Sequence, residues 1–495
     1  MNCLFICSLS VLNVPVTLLT RDPKLNMIIR GEGIMTKSAI EVRDELNAVS
    51  SSFCLAKWLQ VTVHLQNGQT HSCHHPGTHK VPLNELKDDP SALHNTKMKK
   101  SYRKMMLEGE RPKECEYCWR IEDAHKNNLS DRTFKSADHW AYPKLQEVSK
   151  LPWDQSVNPQ YLEVSFGNEC NFKCAYCAPH ISSGLMSEYL KHGPYESMPA
   201  FKLENIKNDG MFPYSKDEHN PYVDAFWEWW PELSKDLKVF RITGGEPLLN
   251  QNTFKFLEYL KSHPMPELSL AINSNLGIPK NTFNKFVEEI KYITENKLIK
   301  DFQLYTSVDT HGRNAEFIRF GLNYNEYMQN VRNFLKEVKE VQLVFMCTYN
   351  AFSVINFRKF LEEVTSLKDE FRNQYSHTRV LLDTPYLKDP AFLSCYVLTE
   401  EFWPHIRRDL AYLKEKAKPD EKTGINIYYD HEISKFERIL NWLESLDENE
   451  HRNNTRRAWY QFIQEYQIRK EIKFSDYCPE YSEFYKLCEK ISLKE

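Results

Sequence analysis

Six short apolar runs, separated by stretches of helical character, constrain this 495-residue chain more than any other feature. They are YLEVSF (161–166), LKVFRIT (237–243), LSLAINS (268–274), DFQLYTSV (301–308), VQLVFMCT (341–348) and RVLLDT (379–384). Near-continuous apolar strands are buried on both faces, and alternation with helices is the pattern of a parallel sheet. No Rossmann glycine fingerprint accompanies them. The pattern predicts an α/β fold, a partial (β/α)6 barrel with chemistry at the C-terminal strand ends.

The first of those strand ends carries VSFGNECNFKCAYCAPH, which sets Cys170, Cys174 and Cys177 in C-x3-C-x2-C spacing. Three thiolates so close in sequence can wrap one iron–sulfur cubane, and a missing fourth ligand leaves one iron open. A zinc loop or incidental thiols would be the plainer reading of the same residues. The second strand ends in Gly244-Gly245-Glu246-Pro247, where two glycines allow close backbone approach and Glu246 supplies a charged acceptor.

CNFKCAYC resembles the signature of the radical S-adenosylmethionine (SAM) superfamily, and GGEP resembles that family's second motif. The resemblance implies a [4Fe–4S] cluster whose open iron chelates the amino and carboxylate groups of SAM. It places Tyr176 beside the adenine, and Gly244, Gly245 and Glu246 at the SAM ammonium. Ser274 and Asn275, then Ser307 and Arg319, then Asn350 match segments that contact the ribose or carboxylate. Cys347, on the fifth strand, reads as a buried small residue.

A second cysteine set lies upstream. Cys54 and Cys73 bracket WLQVTVHLQNGQT (58–70), an alternating stretch with the hairpin signal Asn67-Gly68. Cys115 and Cys118 follow a helix predicted over 95–108, stopped by Gly109 and Pro112. This order resembles an auxiliary-cluster module of SPASM or twitch type, which implies a second [4Fe–4S] cluster. Four thiolates would equally bind zinc. His71, His74, His75 and His79 read as a solvated histidine-rich loop. Cys3, Cys7, Cys395, Cys478 and Cys488 show no ligand spacing and read as structural thiols, with Cys478 near enough in pattern to approach a cluster.

The expected organisation is a poorly structured segment 1–50, an auxiliary module 51–123, a linker 124–158, a radical SAM core 159–395 and a helical region 396–495. An insertion at 183–235, carrying AFWEWW (225–230), is expected near the barrel mouth. Thirteen clustered cysteines favour metal ligation in a reducing compartment. The apolar first 20 residues lack a basic n-region and a cleavage site, and no later run approaches a membrane span. A cytoplasmic protein is expected. The formal net charge of −4 gives no reason to expect general nucleic-acid or membrane binding.

The resemblance implies an enzyme. An external one-electron reductant of flavodoxin or ferredoxin type feeds the cluster, SAM is cleaved reductively, and hydrogen is abstracted from a substrate. A peptide or protein substrate is expected from the auxiliary module, with a sugar or nucleoside as the alternative. The rival from another class is a non-catalytic zinc or iron–sulfur scaffold protein.

Overall fold

The computed structural model describes residues 37–125, 127–373, 376–419 and 424–493. Cys3, Cys7 and the apolar N-terminal stretch lie outside the described residues. The described strands are β1 (Gln60–His64), β2 (Gln69–His71), β3 (His79–Lys80), β4 (Tyr161–Ser165), β5 (Lys173–Cys174), β6 (Val239–Thr243), β7 (Met265–Ser274), β8 (Ile299–Ser307), β9 (Arg319–Phe320), β10 (Gln342–Met346) and β11 (Val380–Asp383). All six predicted runs are strands, and they pair in parallel in the order β4-β6-β7-β8-β10-β11.

Their outward side chains explain the apolar pattern. Phe240 packs on Phe256 of the helix Gln251–Ser262, and Phe345 on Phe360 of the helix Phe357–Glu370. The helices Lys280–Glu295 and Tyr324–Glu337 meet through Phe286 and Phe334. Inward positions on the same strands are polar: Glu163, Arg241, Asn273 and Ser307 line the lumen.

The upstream hairpin departs from the expected organisation. It is not a module placed before the barrel, because β1 pairs in parallel with β4, matching Thr62 to Glu163 and His64 to Ser165. The nine-stranded sheet therefore runs β11-β10-β8-β7-β6-β4-β1-β2-β3. Without β1, the backbone of β4 would be an unpaired edge. The outward Val61 and Val63 also join the main core.

Two further boundaries shift for similar reasons. The helix Ala39–Val49 lies in the segment expected to be poorly structured; a Ser38–Glu41 capping box starts it, and Val42 and Leu46 bury its inner face. Residues of the expected linker, Trp140, Leu145 and Val148, form a second core with Trp58, Cys54 and Cys118. Most of the insertion's aromatic run is not at the barrel mouth. It belongs to the helix Pro221–Asp236, whose Trp230 packs against Phe240 and Phe256 on the outside of the sheet.

The C-terminal region is helical, with Trp403–Lys416, Asp430–Glu444, Glu450–Lys470 and Ser482–Ser492 wrapped against the barrel. Tyr466 donates from its hydroxyl to the Phe317 carbonyl, 2.9 Å away, just before β9. Cys347, Cys395, Cys478 and Cys488 are all buried. Among the described residues, no helix is long and apolar enough to cross a membrane.

Candidate functional site

The cysteine loop leaves β4 and is tied down on three sides. Cys174 sits in β5, which pairs antiparallel with β9 so that Cys174 faces Arg319. The Glu246 N–H donates to the Glu169 carbonyl at 2.6 Å, joining the loop to the turn after β6. Asn275 Nδ2 donates to Asn171 Oδ1 at 3.0 Å, joining it to the end of β7. A Cβ on Gly245 would stand 2.4 Å from the Glu169 carbonyl oxygen, so this glycine is needed where the cysteine loop crosses the turn. Gly244 adopts φ +131°, which also favours glycine.

One cavity collects most of the predicted contacts. Cys170, Cys174 and Cys177 line it together with Tyr176, Gly244, Gly245, Ser274, Asn275, Ser307 and Arg319. Burial, then the neighbouring thiols, pushes the Cys170 thiol well above its ordinary range, and burial takes Cys174 up to about 12. Thiols in such a place ionise when a metal centre takes the proton's position. The donor set suits a cubane with three protein ligands, and a guanidinium nitrogen of Arg319 lies 3.8 Å from the Cys174 sulfur.

Three predicted contacts need correction. Arg319 does not hold its fork open for a carboxylate: Nε and Nη2 donate to Asp309 at 3.0 and 2.8 Å. Asp309 also accepts from the Tyr176 hydroxyl at 2.8 Å and the Thr348 N–H at 3.0 Å, so this buried carboxylate organises the wall that carries Tyr176 and Arg319. Glu246 is 1% exposed and absent from the cavity wall. Its carboxylate accepts from Leu248 N–H (3.1 Å), Ser274 Oγ–H (2.8 Å) and Asn275 N–H (2.6 Å). Burial nonetheless pushes its carboxyl up to about 7. Asn350 is fully buried away from the cavity, where its amide closes a turn through the Thr348 carbonyl and the Phe352 N–H. A strand-end asparagine fits a turn as well as a ligand contact.

Glu163 and Arg241 were missed. They are matched in register on β4 and β6, and both line the cavity. Arg241 Nε donates to Asn273 Oδ1 at 3.0 Å, and its guanidinium lies over the Tyr305 ring at 4.2 Å. Burial raises the Glu163 carboxyl even with Arg241 beside it. The sequence did carry a signal: each is a charged residue inside an otherwise apolar strand.

The four upstream cysteines also converge. Cys54, Cys73, Cys115 and Cys118 line a second, smaller cavity with Lys57, Arg132 and Lys135. Burial pushes the Cys115 thiol up to about 11 and Cys118 up to about 12. Lys57 is buried yet held above its ordinary range by Cys115 and the ion-paired Glu114. The Lys135 ammonium is buried with no hydrogen-bond partner among the described residues. A buried ammonium left without a hydrogen-bond acceptor fits a cavity that takes a negatively charged thiolate-ligated group. The histidine loop is not solvated as expected. His71 and His74 are buried, His75 pairs with Asp131 at 2.7 Å, and His79 bonds Thr96 at 3.0 Å. Cys478 is buried and lines neither cavity.

Residues 164–361 match the radical SAM superfamily. The chain is similar to the GTP 3',8-cyclase of Sulfurimonas denitrificans, 26% identical over 125 residues, which are 25% of this chain and 30% of that protein. It is similar to the GTP 3',8-cyclase of Campylobacter jejuni subsp. doylei, 28% identical over 123 residues, 25% of this chain and 29% of the relative. A third is the GTP 3',8-cyclase of Nautilia profundicola, 28% identical over 116 residues, 23% of this chain and 27% of the relative. The chain spans about 30% of the length of the curated relatives it matches. The family match, the cysteine loop and the strands β6, β7, β8 and β10 fall on the same stretch, and residues 164–361 are a radical SAM superfamily domain, a family that uses a [4Fe–4S] cluster and SAM.

Proposed function

We propose that the chain is an enzyme that holds a [4Fe–4S] cluster on Cys170, Cys174 and Cys177, binds SAM above it, and takes hydrogen from an organic substrate. When bound, the cluster and SAM supply a radical able to break an unactivated C–H bond. The residues of this chain would bind, orient and exclude water. Tyr176, braced by Asp309, presents its ring to the cavity. Gly244 and Gly245 offer backbone at close range, and Glu246 holds Ser274 and Asn275 in place from behind. The observation that carries this reading is the convergence of three thiols, the glycine turn and the ends of β7 and β8 on one cavity.

The same reading assigns a second cluster to Cys54, Cys73, Cys115 and Cys118, supported by the unpartnered Lys135 ammonium beside them. The relatives are named for a reaction of GTP. They lend the expected peptide substrate no support, and a nucleoside-type substrate is the better reading. Electrons would come from an external reductant. The test is anaerobic reconstitution with iron and sulfide analysis, then a dithionite-driven assay for 5′-deoxyadenosine. Iron binding without 5′-deoxyadenosine would leave the scaffold reading in its place.

A further inference from the structure

The cavity does not stop at the cysteine loop. It continues to the hairpin, where His64, Gln66, Thr78 and His180 face Phe201 and Met211 of the insertion. Two hairpin amides are already used: Asn67 Nδ2 donates to the Met211 carbonyl, and Gln69 Nε2 to those of Asp209 and Gly210. Gln66 differs. It is 2% exposed, and neither Nε2 nor Oε1 of its carboxamide has a hydrogen-bond partner among the described residues. Thr78 Oγ1 and His180 Nδ1, on the same wall, are also unpartnered. Three orphaned polar groups in one wall are costly unless a bound molecule satisfies them.

The charge of the wall narrows what that molecule is. No lysine lines the cavity among the described residues, and its arginines are Arg241 and Arg319. Arg319 is spent on Asp309, and Arg241 faces Glu163 in register. Burial holds His64 and His180 down at about 4, which leaves both neutral near pH 7. Among the described residues no lysine lines this cavity to meet a phosphate, while a primary carboxamide offers one donor and one acceptor side by side.

We infer that the hairpin end of the cavity is a substrate-specificity subsite, in which the Gln66 carboxamide pairs with an uncharged amide edge bearing an N–H beside a C=O. Such an edge belongs to a nucleobase or to a carboxamide. The inference deepens the proposed function and rests on that reading for the reaction itself. Phosphates on the same molecule would extend towards solvent and add little.

The test is anaerobic calorimetry on the reconstituted full chain with SAM, using guanosine, GTP and N-acetyl-asparagine amide as probes. Guanosine and GTP are expected to bind within about threefold of each other. Gln66→Leu should weaken both by about tenfold or more, two hydrogen bonds being lost. Binding of the asparagine amide alone, with the same loss in Gln66→Leu, supports the subsite and names a carboxamide source. Iron content and melting temperature of Gln66→Leu equal to wild type establish that the variant is folded; Gln66→Glu, which keeps the shape and removes the donor, substitutes if it is not. Unchanged affinity in the folded variant, GTP binding more than about a hundredfold tighter than guanosine, or no binding of any probe overturns the inference. Wild-type 5′-deoxyadenosine formation is measured alongside. Its absence defeats the proposed function, whereas its presence with a failed binding test defeats only the subsite.

Discussion

Glu163 and Arg241 stand opposite each other on β4 and β6, two charges inside a barrel whose outer strand positions are apolar. Neither is in a direct salt bridge, yet Arg241 is the charge that acts most on Glu163 after burial. Arg241→Met should destabilise the chain by roughly 3 kcal/mol at pH 8, because it removes the charge that most offsets the buried carboxylate. The loss should shrink at pH 5. A carboxyl raised in the folded state keeps its proton while the unfolded chain releases one, so stability falls as pH rises above the unfolded value. Urea melts of wild type and variant at both pH values check this, and equal losses would count against it.

The three loop cysteines make the plainest prediction. Cys170, Cys174 and Cys177 all changed to Ala should remove about four irons and abolish 5′-deoxyadenosine formation. Any iron bound by the upstream cysteines should stay. Iron analysis with a product assay decides the matter, and a triple variant that still cleaves SAM would refute the assignment.

Glu246 should behave as a brace. Glu246→Ala strands the hydroxyl of Ser274 and two backbone N–H groups, which costs roughly 2–4 kcal/mol. Its pH signature is separate. The carboxyl rises from 4.5 to about 7 on folding, so stability should fall as pH increases through that window. Glu246→Gln should flatten the slope, as read from melting temperatures between pH 4.5 and pH 7. A direct role on the SAM ammonium would add a loss of SAM affinity in Glu246→Gln, which a brace alone does not require.

For the second cavity, Cys115→Ala with Cys118→Ala should reduce iron to about one cubane per chain. Low-temperature EPR of the reduced wild-type protein should then show two signals, of which SAM perturbs one. Stoichiometric zinc with a single signal that shifts entirely on adding SAM would replace the second cluster by a zinc site. Lys135→Met should lower the reduction potential of the unperturbed signal, since a buried cation favours the more negative cluster.

The strands and the thiols were legible because their signals are local. Phe240 and Ile242 announce an outer face by alternation, and Cys170, Cys174 and Cys177 announce a loop by spacing. Convergence of Cys54 and Cys73 with Cys115 and Cys118 was also readable, since a hairpin and a helix bring them together. What failed depends on contacts that only the folded chain makes. Arg319 reads as a free fork until Asp309 is seen to occupy it. Glu246 reads as an open acceptor until Ser274 and Asn275 close on it. The burial of His71 follows from its pairing with Thr62, which no local pattern declares.

That pairing has a consequence for how the molecule can be cut, shuffled or inherited. Thr62 and Glu163 are register partners 101 residues apart, so the upstream hairpin and the barrel share one ladder of hydrogen bonds. The hairpin is not a cassette that could be trimmed away to leave a working core, since its removal would bare β4 as a sticky edge. During synthesis β1 must wait for β4 to emerge, and the cysteine-bearing segments between them are held in reserve until it does. Cys54, Cys115 and Cys118 share a core with Tyr161 of β4, so the four-cysteine cavity depends on the same ladder.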